Sequence, residues 1–87
     1  MAYDVQLEQA AVRALAALPR RDRERIVRKI EALADDPRPP GCKARAGSPG
    51  LYRLRSGDYR AISRVRDTEL IVLVLKVGNR REVYRGR

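Results

Sequence analysis

The stretch Leu70–Val77 is apolar at nearly every position. It is strand-length and lacks the in–out alternation of a half-exposed strand. Such a run is stable only as an interior strand covered on both faces, one of them by helices. The residues upstream supply that cover. Ala2–Leu7 alternates, with Tyr3, Val5 and Leu7 on one face and Asp4 and Gln6 on the other, which predicts a short strand. Glu8 opens an Ala-rich stretch in which Ala11, Leu15 and Leu18 share a helical face. Pro19 ends that helix, because it has no amide to donate and its ring clashes with the preceding turn. Arg20–Leu33 predicts a second helix, with an apolar stripe of Ile26, Ile30 and Leu33 and a charged opposite face. With so short a joint between them, an antiparallel helical hairpin is expected.

Arg38–Gly50 is rich in Pro and Gly and reads as a loop. Leu51–Ser56 alternates arginine with core residues, Ser56-Gly57-Asp58 makes a tight turn, and Tyr59–Arg66 returns as a second strand. Asp67-Thr68 turns into the apolar run, Gly78-Asn79 breaks it, and Glu82–Arg85 is expected as a final short strand. The predicted class is α+β: an antiparallel (mixed) β-sheet of four to five strands, with an N-terminal α-helical hairpin packed on one face, in the order β-α-α-β-β-β. Residues 1–87 are expected to form one domain.

Charge is segregated along the chain. Residues 1–36 hold seven bases and seven acids, whereas 37–87 hold thirteen bases and four acids, so the whole net charge of +9 lies in the second part. That distribution points to a polyanionic partner. The bases of the second helix are balanced by acids and read as a solvated face. The single cysteine, Cys42, has no second Cys and no His to share a metal or activate it, which suits a reducing, cytoplasmic setting. No long apolar run opens the chain, so neither a signal peptide nor a membrane span is expected.

Arg53 and Arg55 alternate onto one strand face, Arg60 comes from the paired strand, and Arg80 follows the apolar run. Guanidiniums gathered on one face repel each other, and a bound phosphate explains their presence. The alternative is an exposed sheet face whose long stems cover apolar surface. Tyr84 lies among Arg80, Arg81 and Arg85, and neighbouring cations favour a phenolate. It can take a proton from a ribose 2′-hydroxyl, stack on a base, or be an ordinary strand tyrosine. The chain has no histidine and no acidic cluster of metal-cradle spacing, so no cofactor or metal is expected. A nuclease built this way works by positioning and electrostatics. It needs the 2′-OH as nucleophile, and so takes RNA.

The segments LYRLRSGDYRAI and VGNRREVYR, taken together, resemble the RelE family of type II toxin–antitoxin toxins, within the RelE/ParE superfamily. The resemblance spans nearly the whole chain. It implies a RelE-like fold and a metal-independent mRNA interferase, an endonuclease that cleaves messenger RNA in the ribosomal A site and so inhibits translation. By motif, Arg53 and Arg55 hold phosphate and stabilise charge, Arg60 grips the scissile phosphate, Arg80 is the proposed general acid and Tyr84 the proposed general base. Lys43 and Arg45, with Arg81 and Arg85, grip RNA backbone. The implied partners are a cognate RelB-like antitoxin with an acidic helical segment, the ribosome and mRNA, and operator DNA only through the antitoxin complex. No membrane is implied. This chain departs from relatives with arginine for lysine at 53 and 55, with Asn79 where His is frequent, with Ser63 where an aromatic that stacks on bases is frequent, and by ending three residues past Tyr84. A ParE-like DNA gyrase inhibitor, and a degenerate member that binds only antitoxin and operator DNA, are the competing expectations.

Overall fold

A computed structural model describes residues 2–45 and 47–79. The elements are β1 (Asp4–Leu7), α1 (Gln9–Ala17), α2 (Arg20–Ala32), β2 (Lys43–Ala44), β3 (Leu51–Ser56), β4 (Tyr59–Arg66) and β5 (Ile71–Asn79). The five strands form one sheet in the order β1-β5-β4-β3-β2. β1 runs parallel to β5, and every other neighbouring pair is antiparallel. The α+β class is therefore as expected, with β1 making the sheet mixed.

The helices start and stop where the chemistry requires. Leu18 closes α1 by donating its amide to the Leu15 carbonyl, and the Pro19 carbonyl accepts the first bond of α2 from Arg23. α1 lies against β5 and α2 against β3. Ala11 and Leu15 of α1, with Ile26, Ile30 and Leu33 of α2 and its cap, bury themselves against Leu54, Ala61, Val65, Val72, Val74 and Val77 of the sheet. All of that core is on one side.

The apolar run departs from expectation in three ways. Leu70 is not in the strand. It sits in the turn after Asp67 with φ 56, and its carbonyl accepts the Asp4 amide at 2.8 Å, which fixes the end of β1. Gly78 and Asn79 do not break the strand but pair with Arg60 and Tyr59. Finally, only one face is roofed by helices. Val72, Val74 and Val77 are buried there, whereas Ile71, Leu73 and Leu75 on the other side are half-exposed.

A bulge explains how Val74 and Val77 both reach the core. Ile62 pairs with Lys76 and Ser63 with Val74, so Leu75 is an extra residue in β5. Beyond it the alternation reverses. Lys76 turns to the open face and Val77 to the helices. The predicted loop Arg38–Gly50 is also partly strand, because Lys43 and Ala44 pair with Arg53 and Tyr52 and add an edge to the sheet. The expected strand Glu82–Arg85 lies outside the described residues.

One polar knot ties the loop after α2 to the sheet. The Arg38 guanidinium donates to both Asp67 carboxylate oxygens at 3.1 and 2.7 Å, and its Nε donates to the Tyr52 hydroxyl at 2.9 Å. The Tyr3 hydroxyl donates to Asp67 Oδ1 at 2.6 Å. The guanidinium also lies over the Tyr52 ring, 5.1 Å from its centre. These bonds hold the Asp67 carboxyl below the usual carboxylate range, chiefly through Arg38 and then Tyr3, and the Asp67 bond raises the Tyr3 phenol.

Candidate functional site

The side of the sheet away from the helices carries the cations, and strand register sets their positions. Residues paired across strands share a face. Arg55 lies opposite Arg60, and Lys43 opposite Arg53. Arg53 and Arg55 are two apart on β3, so these four share one face, as the sequence predicts for the arginines. Lys43 reaches them because β2 exists.

Lys43, Arg53, Arg55 and Arg60 line a hollow of about 250 Å³, floored by Gly41 and Leu54. Arg55 and Lys43 are exposed, while Arg53 and Arg60 are half-buried. The Arg60 guanidinium donates to the Gly57 and Tyr59 carbonyls at 3.2 Å each, which fixes it over the β3–β4 turn. Gly57 takes the left-handed conformation there, with φ +60, which a residue with a Cβ adopts at a cost. Like charges placed directly opposite across strands destabilise a sheet. Two such pairs side by side suit a hollow that receives an anion in two-point contact with guanidinium.

Three further cations belong to this face that sequence reading left out: Arg64, Lys76 and Arg66, the last paired with Ile71 and 3.8 Å from Glu69. Arg64 pairs with Leu51 and Leu73, and Lys76 pairs with Ile62, which itself pairs with Arg53. Arg64 was legible, since it follows Arg60 by four residues in a period-two strand. Lys76 was not, because strict alternation from Val72 and Val74 sends it to the core. Only the bulge brings it out.

The α2 bases are mostly solvated, as their balance with acids implies: Arg20, Arg21, Arg25, Arg28 and Lys29 are exposed and Arg23 is half-buried. Lys29 Nζ donates to the Arg55 carbonyl at 2.8 Å, and so joins α2 to β3 behind the arginines. Arg45 lines a separate hollow with Leu51, Ile62 and Lys76, and its amide donates to the Leu51 carbonyl. Ser63 is 2% exposed and pairs with Tyr52 and Val74, so it faces the helices. A change at that position therefore bears on core packing and not on base stacking. Asn79 pairs with Tyr59, on the same side as Ser63. Arg80, Arg81, Tyr84 and Arg85 lie outside the described residues.

Burial pushes the Cys42 thiol up, with the Asp36 carboxylate adding to the shift, which opposes thiolate formation and a nucleophilic role. Among the described residues no three His, Cys, Asp or Glu side chains gather as a metal cage requires. No helix among them is long and apolar enough to cross a membrane.

The chain is similar to proteins of one kind. The family described as "ParE toxin of type II toxin-antitoxin system, parDE" matches residues 5–84. The mRNA interferase toxin RelE of Escherichia coli strain K12 is 34% identical over 88 aligned positions, covering 97% of this chain and 92% of that protein. The RelE–RelB complex of the archaeon Pyrococcus horikoshii superposes with TM-score 0.82 at 30% identity, covering 92% of this chain and 97% of the other. The isolated RelE toxin of E. coli superposes with TM-score 0.79 at 30% identity, covering 95% and 92%.

Proposed function

The chain belongs to the RelE/ParE superfamily of toxins of type II toxin–antitoxin systems, and from that footing we propose that it is an endoribonuclease cutting messenger RNA in the ribosomal A site. The observation that carries the reading is the convergence of Lys43, Arg53, Arg55 and Arg60 on one hollow of the unroofed sheet face. A phosphodiester seated there meets several fixed donors at once. The doubled negative charge of its transition state gains more from them than the ground state does.

The ribose 2′-oxygen attacks the adjacent phosphorus, and the bond to the next nucleotide's 5′-oxygen breaks. The products are a 2′,3′-cyclic phosphate and a 5′-hydroxyl. Tyr84 takes the 2′-proton and Arg80 returns one to the leaving oxygen, as the resemblance implies. Arg80 directly follows Asn79, whose strand pairs with Tyr59 and Arg60. Arg53 and Arg55 have electrostatic roles in this scheme, holding the phosphate and stabilising the charge of the transition state. No metal is required in this scheme. Its support is the absence of histidine from the sequence and the lack of a gathered acidic cluster among the described residues.

The Pyrococcus relative was solved with RelB. A RelB-like antitoxin, with an acidic helical segment laid against the cationic face, is the partner we propose here. Operator DNA would be met only through that complex. The test is expression of the chain alone and with its neighbouring gene, followed by mapping of mRNA 5′ ends on ribosomes. Cuts in frame with codons, lost in Tyr84→Phe and Arg80→Ala while antitoxin binding persists, support the reading. Intact A-site message overturns it.

The description of the matching family favours a second reading, a ParE-like protein that inhibits DNA gyrase without cutting RNA. DNA-damage signalling with translation untouched, and arrest that survives Tyr84→Phe, would establish it instead.

A further inference from the structure

β3 outruns its edge partner. β2 pairs Lys43 with Arg53 and Ala44 with Tyr52, and there it ends. The chain before it turns away, with Gly41 at φ +91 and the Cys42 amide donating back to the Pro39 carbonyl. Residues 54–56 of β3 therefore have a neighbouring strand on one side only. A bare edge group is a weak point in a sheet.

Backbone direction shows which group is bare. The Leu51 carbonyl accepts the Arg45 amide on the β2 side. In an antiparallel ladder, residues two apart present their amide and carbonyl to the same edge. Arg53 and Arg55 thus face that edge as well, and Arg55 has no strand opposite it there. Its carbonyl is taken instead by Lys29 Nζ, at 2.8 Å, from α2.

Two features set this bond apart from a chance surface contact. First, Arg55 stands between two hollows. The cationic one lies on the open face, and another of about 390 Å³ lies between the β3 edge and α2, walled by Lys29, Ala32, Pro39 and Pro40. The backbone there has open space on both sides, while Arg55 and Arg60 repel each other across the β3–β4 pair. Second, Lys29 has no carboxylate one helical turn away, where Arg25, Ile26, Ala32 and Leu33 stand. It is in none of the ion pairs formed among the described residues. Its ammonium goes to a carbonyl, in a charge-assisted bond.

We propose that Lys29 is a positioning residue for RNA cleavage. From the helical roof it tethers the Arg55 end of β3 and keeps that guanidinium opposite Arg60, where both meet one phosphate. The role rests on the endoribonuclease reading and adds to it a residue that touches no substrate. Misplacing a donor to the transition state slows the chemical step more than it weakens binding. Losing a nearby positive charge does the reverse, and salt screens its effect. Kinetics therefore separate the two.

The full chain is assayed on programmed ribosomes as wild type, Lys29→Met and Lys29→Arg. Methionine keeps the stem and removes the donor, whereas arginine keeps donor and charge. Lys29→Met is expected to lower kcat about tenfold with KM within about twofold, at low and high salt alike. Lys29→Arg recovers most of the rate. Amide spectra of Lys29→Met should shift at Arg55, Ser56 and Gly57 and stay unchanged in β1. If Lys29→Met loses its folded spectrum, Lys29→Gln takes its place in the same comparison. A wild-type kcat without the donor, or a defect confined to a raised KM that vanishes at high salt, overturns the positioning role and leaves the nuclease standing. Failure of Lys29→Arg to recover the rate overturns it as well. No cutting by wild type removes the nuclease, and the positioning role with it.

Discussion

Arg55 and Arg60 face each other across β3 and β4 one step from a tight turn, an arrangement that favours a ligand over the free fold. Removing one side should therefore act in opposite directions on stability and activity. Arg55→Ala relieves a cross-strand repulsion of about 0.2–1 kcal/mol. It leaves the Lys29 bond intact, because that bond goes to the Arg55 backbone carbonyl. Urea unfolding should thus show a variant at least as stable as wild type, while ribosomal mRNA cleavage falls by about 10²-fold. A variant less stable than wild type would mean that the arginine stem packs more than it repels. Asp67 works in the opposite sense. Its folded carboxyl titrates below the ordinary value of about 3.9 because Arg38 and Tyr3 bind the ionised form. Its stabilising effect is fully present above that ordinary value and is lost as pH falls through the lower folded value. Asp67→Asn should melt at lower temperature than wild type at neutral pH. Melting curves of the two should converge in acid.

At the scale of elements, the bulge in β5 decides which residues reach the site. With Leu75 present, Lys76 joins the cationic face and Val77 fills the core. Deleting Leu75 removes the extra residue without reversing the faces, because Lys76 then directly follows Val74 and still points to the open side while Val77 still fills the core. The deletion should therefore cost only the packing of the half-exposed Leu75, about 1 kcal/mol, and dispersed amide spectra should be kept. Loss of the folded spectrum would show that the bulge itself is required. β2 is the second decisive element. It is two residues long and sits at the edge, yet it places Lys43 opposite Arg53. The Arg38 knot holds the preceding loop in place for it.

Over the whole molecule, the helices roof one side of the sheet and the cations occupy the other. The balanced first part of the chain thus builds the roof, and the basic second part builds the binding face. RNA affinity should follow this division. With about four phosphates held in single-stranded RNA, log affinity should fall against log salt with a slope of about −3. Arg64→Gln on the open face should make that slope shallower by about 0.7. Arg20→Gln on α2 should leave it unchanged, because Arg20 is paired with Glu24 at 3.1 Å and lies on the roof. Filter binding across a salt series reads both, and an equal effect of the two variants would show that charge acts without regard to face.

What the sequence determined by itself is what depends on neighbours along the chain. The Ala11–Leu15 and Ile26–Ile30 stripes, the stop at Pro19, the β3–β4 hairpin with Arg53, Arg55 and Arg60 on one side, and the segregated charge all arise within a few residues, and all are present in the fold. The parallel pairing of β1 with β5, the strand character of Lys43–Ala44, the left-handed turn at Leu70, the helix-side place of Ser63 and the outward turn of Lys76 were settled only in three dimensions. Each depends on which distant strand supplies the hydrogen bonds, and local periodicity carries no information about that partner. One extra residue against such a partner reverses every side chain that follows.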